Sequence, residues 1–338
     1  MIIDLRSDTV TRPTPDMKSY MMDAEVGDDV FGEDPTVIAL EKKIADTFGK
    51  KAALFCPSGT MTNQIALRIN TEPQDEVICD QYAHIYRYEG GGAANNSLIS
   101  LRLLQGESGR ISAQQVQDNI NPDDVHFPRT SLISLENTVN KGGGCYYQLS
   151  AIKSINDVAK RAGLKMHLDG ARIFNALIET GENAADYGQY FNTISVCFSK
   201  GLGAPVGSAI LGSVEAIKKA RRVRKVFGGG MRQAGYLAAA CIYALDHHID
   251  RMSEDHRRAR ILSEIMNEKS FVTEVIPVHT NILIYKIDQS MDIDEHLTKL
   301  KTLGILAVPF GKHEVRLVTH LDFTDDMLQE FRLRLKNI

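Results

Sequence analysis

The chain reads as an α/β protein: a large domain on a mostly parallel sheet, followed by a smaller C-terminal α/β domain. Three observations lead there. From Val37 to Leu245, short apolar stretches alternate with stretches of helical spacing, the pattern of strands joined by helices that cover both faces of a sheet. Two of those apolar stretches end in a residue that carries chemistry: Asp169 follows Leu164, Met166 and Leu168, and Lys200 follows Ile194, Val196 and Phe198. Ligands of such sheets bind beyond the carboxyl ends of the strands. The charged region Arg251 to Arg260 then interrupts the pattern before a second, shorter set of strands and helices.

Residues 1–15 are polar, contain Pro13 and Pro15, and read as an N-terminal arm without a core strand; 16–248 form the large domain and 249–338 the small one. Met17 to Ala24 is a short helix. Gly27 to Pro35 is a loop, and Asp34 before Pro35 is an N-cap followed by a residue suited to the first turn. Val37, Leu40, Ile44 and Phe48 mark one face of the helix that follows, and Gly49 ends it. Ala52 to Cys56 is a strand, and Pro57-Ser58-Gly59-Thr60 turns it into a helix with Ile65 and Ile69 on one face. Such a turn aims free backbone N–H groups at an anion, although an ordinary capped helix has the same pattern. Strands follow at Glu76 to Cys79, Ser131 to Glu136 and Leu164 to Leu168, with a helix from Leu149 to Ala162 stopped by Gly163. Ala234 to Asp250 is a long apolar helix. In the small domain, Thr280 to Ile287 and Glu314 to Thr319 are strands, and Asp292 to Leu303 and Thr324 to Leu335 are helices.

Composition narrows the function. With 338 residues and 43% hydrophobic content the chain has material for a large core and two unequal domains. A net charge of −4 gives no reason to expect a nucleic-acid or anionic-membrane surface. The basic run Lys218, Lys219, Arg221, Arg222, Arg224 and Lys225 reads first as a solvated helix face, with phosphate or interface contact as the sharper option. The apolar run Ala234 to Leu245 is too short to span a bilayer. The start, Met1 to Arg6, does not read as a signal peptide. Five cysteines without a C-x-x-C pair fit reduced thiols in the cytoplasm, and they show no metal-ligand spacing.

The chemistry comes from a constellation. A lysine at the end of an apolar strand, in a loop with Gly201, Gly203 and Gly207, is placed as a Schiff-base amine more than as a solvating charge. A carboxylate at a nearby strand end, Asp169, completes the pair that pyridoxal phosphate requires: the amine holds the aldehyde, and the carboxylate keeps the ring nitrogen protonated. Ser58-Gly59-Thr60 supplies a helix start for the phosphate, and His84 is a candidate for the face of the ring. Each feature alone has a plainer explanation, a snorkelling lysine, an Asp-Gly turn or a core histidine; their order along the chain makes the set specific.

These same segments carry a resemblance. Leu5 to Thr11, Gly27 to Thr36, Pro57 to Met61, Leu135-Glu136-Asn137-Thr138 and His167 to Ile173 resemble the low-specificity L-threonine aldolases, as do Ser199 to Gly203, Gly228 to Gln233 and Val315 to His320. Those enzymes have the pyridoxal-phosphate-dependent transferase-like fold of the aspartate aminotransferase type (fold type I). The resemblance covers nearly the whole chain, with Phe31 and Val139 as departures where several members have Tyr and His. It implies pyridoxal 5'-phosphate on Lys200, Asp169 at its ring nitrogen, Gly59 and Thr60 at its phosphate with Arg232 of a neighbouring subunit, and His84 stacked on its ring. It implies Ser7, Arg172 and Arg316 at the substrate carboxylate and His126 near the substrate hydroxyl, no metal, and a homotetramer of dimers with shared active sites. The implied reaction is retro-aldol cleavage of L-threonine or L-allo-threonine to glycine and an aldehyde, by a cytoplasmic carbon–carbon lyase.

Rival readings are another pyridoxal-phosphate reaction, such as serine hydroxymethyl transfer, β-elimination or transamination, and a non-catalytic binder of that cofactor. A nicotinamide-dependent oxidoreductase is disfavoured, because Gly201-Leu202-Gly203-Ala204-Pro205-Val206 lacks the third glycine of G-x-G-x-x-G.

Overall fold

The computed structural model describes residues 1–337; residue 338, the last of the expected small domain, lies outside the described residues. The strands in chain order are β1 (Ile3–Asp4), β2 (Ala52–Cys56), β3 (Glu76–Asp80), β4 (Ser100–Leu104), β5 (Thr130–Glu136), β6 (Lys165–Gly170) and β7 (Thr193–Cys197). They continue with β8 (Ser208–Gly212), β9 (Val272–Val275), β10 (Ile282–Ile287), β11 (Ile305–Leu306), β12 (Val308–Gly311) and β13 (Glu314–Val318). Seven of them form one sheet in the order β2-β8-β7-β6-β5-β3-β4. The pairs β7–β6, β6–β5, β5–β3 and β3–β4 are parallel, and only β8 runs against its two neighbours.

The expected parallel sheet is therefore present, with two strands that the sequence pattern did not announce. β8 follows Gly207, whose φ of +137° reverses the chain; a Cβ there would stand 2.8 Å from Phe55 Cε2 and 2.7 Å from Cys241 Sγ. β4 is an edge strand with only Leu104 buried, so it has no apolar alternation to detect. Helices cover both faces. Tyr187, Phe48, Phe198 and the buried faces of Pro35–Thr47, Leu149–Ala162 and Gly235–His247 fill the larger core, and Leu54, Ile65, Ile210 and Ile217 lie on the other side. The helix Pro35–Thr47 starts as the sequence indicates, with the Asp34 carboxylate accepting the Val37 N–H at 3.0 Å and Pro35 in the first turn.

The strands of the second sheet, β12-β13-β10-β9, are all antiparallel. Leu262, Tyr285, Leu317, Phe323 and Phe331 form its core. Arg251 to Arg260, expected as a charged passage, opens the helix Met252–Asn267, which buries Ala259, Leu262, Ile265 and Met266. The polar arm also contributes structure: Ile3 and Leu5 are fully buried in the small core, and β1 pairs in parallel with β11. Ile3 and Leu5 alternate with Asp4 and Arg6, a two-residue pattern that a short strand satisfies. The basic helix Val214–Val226 is not only solvated: Arg224 is 2% exposed, pairs with Asp29 at 2.6 Å and donates to the Phe55 carbonyl at 2.6 Å.

Candidate active site

The carboxyl ends of β5, β6 and β7 open onto a cavity of about 390 Å³ between the two sheets. Ser7, His84, Arg172, Lys200 and Arg316, from five separate stretches of chain, line it. Val308, Pro309 and Phe310 add an apolar wall from the small domain.

Lys200 stands in a tight turn after β7. The Gly203 N–H donates to the Lys200 carbonyl at 2.8 Å, and Thr11 Oγ1 donates to the same oxygen at 3.0 Å. Gly203 has a φ of +79°, which the turn requires and a side chain would oppose. These bonds fix the backbone and leave the Lys200 amine toward the cavity.

Asp169 is the penultimate residue of β6 and is 3% exposed. Its Oδ1 accepts the Ala171 N–H at 3.1 Å and its Oδ2 accepts Asn63 Nδ2 at 2.7 Å. Asn63 also donates to Glu89 Oε1 at 2.8 Å, and its Oδ1 lies 3.2 Å from Nε2 of His167, whose burial pushes its pKa down to about 4. Glu89 in turn stands 2.9 Å from His84 Nδ1. Burial opposes the protonated form of His84, but the Glu89 hydrogen bond and the charges of Asp169, Glu89 and Glu136 outweigh it and raise the pKa. Ligand atoms of His84, Glu89 and Asp169 fall within 4.8 Å of one another. Glu136, at the end of β5, is pushed up to about 7 by burial and by the Asp169 charge beside it.

The opposite end is cationic. Arg172 Nε and Nη2 both donate to the fully buried Asp8, at 2.8 and 2.7 Å. Burial opposes the Asp8 charge, yet the Arg172 guanidinium holds that carboxyl well below the usual range. Arg316 lies on β13 between buried Val315 and Leu317 and points the other way, toward the site, as strand alternation requires. Its Nη1 donates to Asn140 Oδ1 at 2.8 Å and its Nη2 to the Arg6 carbonyl at 3.0 Å, while Nε is buried without a partner. Burial, aided by the Arg172 charge, pulls its pKa down to about 10. Both guanidinium groups keep donors to spare, but the Arg172 charge is matched by Asp8, whereas among the described residues Arg316 has no carboxylate partner.

The residues fit pyridoxal phosphate. At the start of the helix Gly59–Asn70, Ser58 Oγ accepts the Met61 N–H at 3.2 Å, and the first N–H groups, of Gly59 and Thr60, point at whatever anion sits there. Ser208 Oγ is buried without a partner against the same turn; a Cβ on Gly59 would lie 3.6 Å from it. An orphaned hydroxyl beside a helix N-terminus suits a phosphate, and the acidic end around Asp169 suits a protonated ring nitrogen.

Two expected residues do not join this set within one chain. His126 is on the loop before β5, the length of that strand or about 20 Å from Glu136; its exposed ring is 2.7 Å from Asp124. Arg232 is exposed, bonds Asp28 at 2.8 Å and lies over the ring of Phe31. Of the two departures, Phe31 is 74% exposed and Val139 is buried in the larger core, so neither lines the cavity. Asp8, Asn63, Glu89, Glu136, Asn140 and Ser208 escaped the sequence reading as site residues. Only Glu136 had a signal, since it ends a strand as Asp169 does.

Comparison with known proteins agrees with this geometry. Residues 4–290 match the beta-eliminating lyase family. The low specificity L-threonine aldolase of Escherichia coli (strain K12) is 43% identical over 332 residues, covering 97% of each chain. Low-specificity L-threonine aldolase 1 of Arabidopsis thaliana is 40% identical over 329 residues, 95% of this chain and 92% of that one. The solved structure of Leishmania major threonine aldolase superimposes with a TM-score of 0.83 at 20% identity, covering 99% of both chains, a likeness of fold.

Proposed function

This chain belongs to the beta-eliminating lyase family and, within it, to the low-specificity L-threonine aldolases, and on that premise we infer that its cavity cleaves L-threonine and L-allo-threonine to glycine and an aldehyde. The observation that carries the assignment is the gathering of Lys200, His84, Ser7, Arg172 and Arg316 around one cavity, with Asp169 buried behind His84 and joined to it through Asn63 and Glu89. Bound pyridoxal 5'-phosphate supplies an electron sink for the pair released when Cα–Cβ breaks.

The protein's own groups do the rest. Lys200 would hold the cofactor, Asp169 would keep the proton on its ring nitrogen, Gly59, Thr60 and Ser208 would hold its phosphate, and His84 would lie at its ring. Arg316 takes the substrate carboxylate with its uncommitted donors, helped by Ser7 and by the remaining nitrogen of Arg172. That grip would hold the substrate in one orientation in the cavity, so the same residues that bind the carboxylate would also help choose which bond reacts. Glu89 fixes the proton of His84 on Nδ1, which leaves Nε2 to accept the proton of the β-hydroxyl. Arg232, exposed in one chain, would reach the cavity of a neighbouring copy in a homotetramer; within one chain His126 is exposed and bonded to Asp124, away from the site. The apolar wall of Val308, Pro309 and Phe310 gives no hydrogen-bonding demand on the substrate side chain, which suits a low-specificity enzyme.

The division between a large domain (16–248) and a small one (249–338) is supported by the two separate cores, with the site between them, while the arm (1–15) packs into the small core through Ile3 and Leu5. A cytoplasmic setting is supported by the five cysteines, all free and buried; among the described residues no helix is long and apolar enough to cross a membrane. There the reaction serves threonine catabolism and glycine formation.

The test is incubation of the purified protein with L-threonine in the absence of folate. Equimolar glycine and acetaldehyde confirm the reading. 2-Oxobutyrate with ammonia, 2-oxo-3-hydroxybutyrate or a strict folate requirement would assign one of the rival reactions.

A further inference from the structure

One buried carboxylate at the centre of the site has no part in the scheme above. Glu136 ends β5 directly beside Asp169 and is 9% exposed. Its side-chain hydrogen bonds go to two backbone N–H groups. Oε2 accepts that of His84 at 2.8 Å, and Oε1 accepts that of Asn140 at 2.9 Å. The two peptides lie on different loops and 56 positions apart in sequence, as the numbers 84 and 140 give. One loop carries the imidazole at the ring face. The other carries the Asn140 amide that accepts Arg316 Nη1 at 2.8 Å.

We propose that Glu136 is a positioning residue whose carboxylate ties the His84 loop to the Asn140 loop, and so sets the Arg316 clamp relative to the imidazole. The inference rests on the roles given to His84 and Arg316. It concerns how they are held, which the aldolase assignment itself leaves open. A carboxylate is the group this task requires. In its ionised form it alone among side chains of this length offers two acceptors and no donor, one for each N–H. Glutamine would place an NH₂ against one of the two backbone donors, leaving that N–H buried and unpaired. Aspartate would keep both acceptors but lose the methylene needed to reach both loops.

The variant Glu136→Gln tests this in the holoenzyme. Hydrogen exchange read by mass spectrometry, with and without added cofactor, should show faster exchange in the segments 81–89 and 137–144 and nowhere else in the sheet. KM for L-threonine should rise roughly 10-fold, with unchanged cofactor absorbance. In the Arg316→Lys background the same substitution should add little further to KM, because both act through one contact chain. Unchanged exchange in both segments would overturn the proposal, as would independent, multiplicative effects of the two substitutions on KM. If Glu136→Gln does not fold, Glu136→Asp takes its place. Loss of protection in one segment is then expected, and protection of both with a normal KM would sink the idea. Should all variants and wild type alike lack threonine cleavage, the aldolase reading fails, while the exchange result still decides the role of Glu136.

Discussion

Arg316→Lys is the substitution whose consequence follows most directly from the geometry. The wild-type guanidinium spends one Nη1 hydrogen on Asn140 and one Nη2 hydrogen on the Arg6 carbonyl, and keeps Nε and the outer hydrogens for a ligand. Its pKa, drawn down to about 10, still lies well above neutrality, so the group is charged in both the wild type and working conditions. Lysine keeps the charge but offers a point donor where arginine offers a planar fork. It cannot reach Asn140 and Arg6 and also present two parallel bonds to a carboxylate. A hydrogen bond to a charged group contributes about 1.5–3 kcal/mol, so one lost bond lowers kcat/KM roughly 10- to 100-fold. Initial rates with L-threonine should show this chiefly as a higher KM, with the visible absorbance of the bound cofactor intact. A variant with wild-type KM, or one that loses cofactor absorbance, would remove Arg316 from the carboxylate site.

Three other outcomes are expected. Lys200→Ala should abolish threonine cleavage and the borohydride-reducible link to the cofactor; near-normal turnover would refute the assignment. His84→Phe keeps an aromatic face but loses the imidazole, and kcat should fall by about 10²–10⁴-fold. Because the His84 pKa is raised, the neutral form needed to accept a proton is lost as pH drops through a value above the ordinary ~6.5, so wild-type kcat should show an acid limb there. A limb that persists in His84→Phe would instead report Glu136. Asp8→Asn leaves Arg172 buried without its counter-charge and should destabilise the fold by about 3–5 kcal/mol, measured by urea unfolding. The Asp8 pKa is lower folded than unfolded, so its stabilisation is present at neutral pH and is lost as pH falls below about 4 toward the depressed value; a variant as stable as wild type at pH 7 would contradict this.

What the sequence revealed and what it withheld divide along physical lines. Asp169 and Lys200 were legible because Asp169 lies at the penultimate position of one apolar strand and Lys200 follows another by three residues, where polar side chains are otherwise out of place. Arg316 was legible from the alternation of Val315 and Leu317 around it, once the family resemblance supplied a reason to look. The Asp8–Arg172 pair was not, because its members lie 164 positions apart and nothing local marks a carboxylate as the partner of a given guanidinium. Glu136 was hidden differently. Its partners are backbone N–H groups, which every sequence has and none displays. β8 went unseen because the chain reverses within the glycine-rich stretch that read as one loop after Lys200. His126 and Arg232 lie on the surface of the chain, paired with Asp124 and Asp28, where nothing local in the sequence marked them as exposed.

The division of charge explains why these scattered residues belong together. Glu89, Glu136 and Asp169 crowd the end of the site where a ring nitrogen must keep its proton, and crowding of like charge favours any cation that enters. Two guanidinium groups occupy the other end, but Asp8 takes up one of them through two short bonds. The remaining surplus is a single buried positive charge, that of Arg316, the charge that the function proposed above pairs with one α-carboxylate. Asp8 therefore neutralises Arg172 in place, and among the described residues Arg316 is left without a carboxylate partner at that end.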